Sequence, residues 1–171
     1  MIEHRSFPPA LAAISRTEFD YADGDGIDFE PYDAFLTAED TTDWLRSWTG
    51  NKEFDAGAYL PFGQDGTGGM AAVWCVRAGR PLADQPIVFL GSEGATGVVA
   101  GCLDDFLWVL ADGTGPMEAV EYDEHPPRPT PPLTALAETH ATTPHRPAHT
   151  IIAEARAEFP TFSEDIDHQC R

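Results

Sequence analysis

The sequence predicts an α+β fold: a twisted antiparallel sheet of about four to six strands, helices packed around it, and a C-terminal helical extension. Three observations predict it. Short apolar runs at residues 58–63, 70–77, 87–90 and 98–101 are separated by Gly- and Pro-rich turns, the pattern of a meander. Residues 37–49 and 103–111 carry apolar side chains at helical spacing. A Pro-rich break at 125–132 is followed by two further helical patterns.

In chain order, a short apolar stretch after Pro8-Pro9 predicts one or two helical turns. Residues 17–36 are acidic, and Gly24 and Gly26 break any helix, so they read as loop with a short strand near 27–29. Thr37 with Asp40 three residues on makes a capping-box-like helix start. Glu39, Asp40 and Asp43 favour the N-terminal end of that helix dipole and Arg46 the other end, with Gly50 as the stop. Residues 70–77 are apolar at nearly every position, which predicts a central strand buried on both faces. In residues 103–111, Leu103, Phe106, Leu107 and Leu110 share a face, Asp104 and Asp105 lie in the first turn, and Asp112-Gly113 closes it. The segment 125–132 holds five prolines in eight residues and reads as a linker or surface strap. Helices are expected at 133–140 and 147–158, the second opening on Pro147, and the tail 162–171 is expected to fray. The domain reading is therefore 1–125 as the α+β unit, 126–132 as linker or strap, and 133–171 as a helical extension packed on the same unit.

The chain has 171 residues, 42% of them hydrophobic, enough for one core. The formal net charge is −19, carried against nine Arg and one Lys. Such a charge argues against direct binding to nucleic acid or an anionic membrane. Cys75, Cys102 and Cys170 fit no disulfide framework and suit a reducing compartment. No apolar run approaches a membrane span, and residues 1–9 lack the apolar region of a secretory signal, so a cytoplasmic location is expected.

From Thr17 to Leu45 there are ten carboxylates and no Lys or Arg, interleaved with Phe19, Tyr21, Phe29, Tyr32, Phe35 and Trp44. Rings want burial, so this mixture makes a poor solvated tail and a good charged rim around apolar anchors. The expected partner-binding residues are Asp20, Asp23, Asp25, Asp28, Glu30 and Asp33 for charge, with Tyr21 and Tyr32 as anchors. Trp74 and Trp108 read as core. Trp44 and Trp48 serve either as anchors or to pack their helix on the sheet.

Residues 54–113 resemble the SUKH superfamily (Smi/Knr-like) of bacterial immunity proteins and their eukaryotic relatives. The resemblance is carried by Tyr59-Leu60-Pro61-Phe62-Gly63-Gln64-Asp65-Gly66-Thr67-Gly68-Gly69 and by the strand Ala71-Ala72-Val73-Trp74. Pro86-Ile87-Val88-Phe89-Leu90-Gly91-Ser92-Glu93-Gly94, then Val99-Ala100, follow it. The helix Leu103-Asp104-Asp105-Phe106-Leu107-Trp108-Val109-Leu110 closes the unit. Asp28-Phe29-Glu30-Pro31 and Trp44-Leu45-Arg46-Ser47-Trp48-Thr49-Gly50-Asn51 look like the preceding part of an actinobacterial-type member. The resemblance implies an antiparallel sheet with helices packed on it. It also implies a protein without catalytic machinery that neutralises a toxin, often a nuclease, by direct binding. The residues after 118 lie outside it.

Asp23-Gly24-Asp25-Gly26-Ile27-Asp28 invites a calcium-loop reading, but it places Tyr21 and Tyr32 where the first and last carboxylates belong. The glycines of 63–69 and 91–97 join strand to strand with no following Lys, which suits hairpin turns better than phosphate binding. His140, His145 and His149 cluster, but Pro144 and Pro147 break the helix a zinc pair would need. Ser92 has no nucleophile elbow around it. No cofactor, metal or catalytic residue is expected.

The reading is thus a non-enzymatic immunity protein, monomer or weak dimer, whose partner is a cognate basic toxin met across roughly 1,200–2,000 Å². The alternative is a regulatory or scaffold module with a non-toxin partner.

Overall fold

The computed structural model describes residues 6–122 and 124–171. The reading of the N-terminus as free of a secretory signal rests mainly on residues outside that range. The fold is α+β, one five-stranded antiparallel sheet with helices on both faces. Its order is β1-β2-β3-β4-β5, with β1 Glu30–Pro31, β2 Tyr59–Gln64, β3 Met70–Trp74, β4 Ile87–Leu90 and β5 Thr96–Ala100. The helices are α1 Pro9–Ser15, α2 Ala38–Thr49, α3 Leu103–Ala111, α4 Pro116–Glu121, α5 Pro131–His140, α6 Ala148–Glu158 and α7 Phe162–Gln169.

Alternation along each strand divides the core in two. On one face Leu60, Phe62, Ala71, Val73, Ile87, Phe89 and Val99 meet Leu11 and Ile14 of α1, Phe106 and Leu110 of α3, and Leu133 and Ala137 of α5. On the other, Tyr59, Ala72, Val88, Leu90 and Val98 meet Leu45 of α2 and Phe162 and Ile166 of α7. Helix α6 contributes to both, through Ile151 and Ile152 on one side and Ala155 on the other. It lies along β5, the strand at the end of the sheet. The opposite edge is β1, two residues long and containing a proline, which has no amide proton to offer another strand.

Several boundaries differ from expectation. The first strand is Glu30–Pro31, not 27–29, because Ile27 and Phe29 turn inward to the core. Strand β3 stops at Trp74 rather than 77, where the Val76 amide donates back to the Trp74 carbonyl and the chain turns. Pro147 caps α6 from outside instead of occupying its first position. Residues 116–121 form a helix that the periodicity did not reveal.

The tail, expected to fray, is α7. Phe162 and Ile166, four residues apart, are buried at 4% exposure each, and the Trp74 ring lies 4.8 Å from that of Phe162. The end of the chain is also tied to α2: the Arg171 amide donates to the Thr49 carbonyl at 2.9 Å and Asn51 Nδ2 to the Gln169 carbonyl at 2.8 Å. Gly50 closes α2 in the left-handed region, φ 66°, as its position in the sequence predicts.

The acids of α3 fasten the C-terminal extension. Asp104 Oδ2 accepts from the Thr142 amide and hydroxyl, and Asp112 Oδ2 from the Ala148 amide at 2.8 Å. Arg146 bridges Asp105, at 2.6 Å, and Glu154. Trp108 is 8% exposed, as a core residue, and donates to the Thr143 carbonyl at 2.9 Å.

Candidate partner-binding face

The acidic segment is a closed loop. The Ile27 amide donates to the Asp20 carbonyl and the Gly26 amide to the Tyr21 carbonyl, both at 2.9 Å. A Cβ on Gly26 would run into the Asp20 carbonyl, so glycine is required there. Ala22 and Asp23 hold φ of 47° and 54°, a conformation non-glycine residues rarely adopt. Aromatic packing pins the loop: Phe19 meets Phe29 edge-on at 5.3 Å, Phe29 meets Phe62 at 6.0 Å, and Phe62 meets Phe106 of α3 at 5.7 Å. The rings of the acidic stretch therefore split in role. Phe29 and Phe35 are core, and Tyr21 is 54% exposed.

The predicted site residues divide in the same way. Asp23, Glu30 and Asp33 are exposed and make no side-chain hydrogen bond or ion pair among the described residues. Asp20 Oδ1 accepts from the Ala22 amide at 2.8 Å and remains exposed. Asp25 is paired with Arg128 of the Pro-rich segment at 2.9 Å. Asp28 is committed to structure: its Oδ1 accepts from the Gly66 amide at 2.9 Å, fastening the loop to the β2–β3 turn. Tyr32 donates its hydroxyl proton to Gln64 Oε1 at 2.9 Å across the β1–β2 edge and is half-buried. Burial, then the charge of Glu30, pushes its pKa up. Asp28 and Tyr32 thus hold the loop and the edge in place, while Asp20, Tyr21, Asp23, Glu30 and Asp33 face solvent.

Helix α4 lies beneath this loop. Gly115-Pro116 with Glu118 three residues after the cap is a helix-start signal that could have disclosed it. Glu118 is buried, and its carboxylate accepts from the Asp28 amide at 3.2 and 3.4 Å. Burial raises its pKa to about 7, the Asp28 amide opposing and the Asp28 charge adding to the rise. Glu121, one turn on, is also raised, by burial first and then by Asp65 and Glu93 on the two neighbouring hairpin turns. Thr67 and Ser92 join those turns through their hydroxyls at 2.7 Å.

The tryptophans of α2 stack on each other at 5.3 Å, and Trp48 Nε1 donates to the Gly91 carbonyl at 2.8 Å. Both are partly buried against the second core and pack α2 onto the sheet. His145 lies against Trp108, ring centres 5.0 Å apart. Among the described residues, no group of three or more His, Cys, Asp or Glu is placed to hold a metal ion, and no helix is long and apolar enough to cross a membrane. No family model, curated protein or solved structure matches the chain.

Proposed function

We propose that the protein is a non-enzymatic immunity protein that binds and neutralises a cognate basic toxin with the flank formed by residues 20–33. One observation carries the reading: Asp20, Asp23, Glu30 and Asp33 stand exposed beside the exposed Tyr21 on a loop closed by its own hydrogen bonds. A preformed charged loop loses little entropy on docking. The net charge of −19 supports electrostatic attraction of a basic protein. The resemblance of residues 54–113 to the SUKH superfamily supports the immunity class and a target that acts on nucleic acid.

The test is co-expression with the product of a neighbouring toxin gene, followed by association kinetics of the purified pair. Rescue of growth is expected, with an association rate falling by at least tenfold from about 10⁸ M⁻¹s⁻¹ as salt is raised through the physiological range. An association rate indifferent to salt overturns the electrostatic part, and failure to rescue overturns the immunity part.

A further inference from the structure

Between the acidic loop and α4 is a hollow of about 490 Å³. That volume falls within the roughly 300–1,000 Å³ of small-ligand sites. We propose that it is a socket for one cationic side chain of the partner, the guanidinium of an arginine. The proposal rests on the reading of this flank as a binding face and names what enters it.

The walls select the ligand. Tyr21 and Tyr122 line the hollow and are 54% and 58% exposed, the two most exposed large hydrophobic side chains among the described residues. Two bare rings beside carboxylates attract a cation through their negative faces and reject an anion. Glu121 and Glu124 are exposed at the rim, and Glu118 forms the floor. Arg128 is held by Asp25 through both its side-chain and carbonyl oxygens and does not line the hollow. Among the described residues, no Lys or Arg lines the hollow to neutralise its carboxylates.

His125 adds an independent observation. Its Nδ1 and Nε2 are both shut from solvent and have no hydrogen-bond partner among the described residues. A neutral imidazole keeps one acceptor nitrogen, and leaving it unpaired is costly. A guanidinium brings five N–H donors in a planar fork, enough for two rim carboxylates at once, and an imidazole nitrogen comes within its reach when the His125 ring turns toward the hollow. Met117 offers a soft apolar surface for the methylene stem. Lysine, with a compact and strongly hydrated ammonium, uses the same walls less well.

The experiment is an amide-resolved NMR titration of the full chain with N-acetyl-arginine amide, and in parallel with the citrulline amide, its neutral near-isostere. Saturable shifts are expected at Gly24, Gly26 and residues 117–122 with the arginine compound and not with the citrulline one. Tyr122→Ala and Glu121→Gln are exposed substitutions outside the core, and each is expected to weaken binding by about fivefold. Equal shifts with both compounds, no saturation, or indifference to both substitutions overturns the socket. Octa-arginine separates this proposal from the broader one. Shifts at Glu30 and Asp33 that spare the hollow overturn the socket and leave the binding face standing. Arginine amide in the hollow, without salt-dependent association of the toxin, supports the socket and overturns the broader reading.

Discussion

Glu118 is a carboxylic acid placed where ionisation is costly, so it makes stability depend on pH. Its pKa in the fold, about 7, lies above the ordinary 4.5. Between those values the folded chain binds more protons than the unfolded one, so stability falls as pH rises through this window and levels off above it. A shift of this size corresponds to on the order of 3 kcal/mol. Glu118→Gln keeps an acceptor for the Asp28 amide and removes the titration. Its urea midpoint is expected to change less between pH 5 and pH 8 than that of the native chain, and equal changes would refute the assignment. A second residue-scale prediction concerns Tyr32, whose hydroxyl bond to Gln64 is removed in Tyr32→Phe. The expected loss is about 1 kcal/mol by urea denaturation. The sequence disclosed that residues 20–33 are acidic and that Tyr21 is an exposed ring. It did not disclose that Asp28 and Tyr32 serve the fold, since their partners Gly66 and Gln64 lie more than thirty positions away. Glu118 was hidden for the same reason, its donor at Asp28 being ninety residues back.

At the scale of elements, strong local periodicity was legible and borrowed burial was not. Strand β4 and helix α3 have the boundaries their apolar patterns predict, and α2 starts and stops at Thr37 and Gly50 as its capping residues require. Helix α7 shows only Phe162 and Ile166 as large apolar residues among its eight, too thin a stripe to recognise in isolation. Their burial depends on Trp74, Tyr59 and Leu45, contributed by β3, β2 and α2. Ile166→Ala is therefore expected to cost 2–5 kcal/mol in urea denaturation, as for a core position and not a frayed end. A loss below 0.5 kcal/mol would mean that the tail does not hold the second face. The six residues of helix α4 are too few for periodicity to register.

For the whole molecule, charge and architecture act together. The carboxylates of α3 are used internally, to hold the extension from Thr142 to Glu154. Those of residues 20–33 are mostly left to solvent, so one composition serves cohesion on one side of the chain and repulsion on the other. The sheet, meanwhile, offers no long open margin. One border is two residues with a proline, and the other is lined by α6, with the Thr96 carbonyl taken by the Ser163 hydroxyl and the Gly101 carbonyl by Arg77. A stack of copies growing strand upon strand has nowhere to begin. Concentrated solutions are therefore expected to stay free of thioflavin-positive fibrils under native conditions, and to form them only once the segment from residue 131 onward is removed and β5 is laid bare.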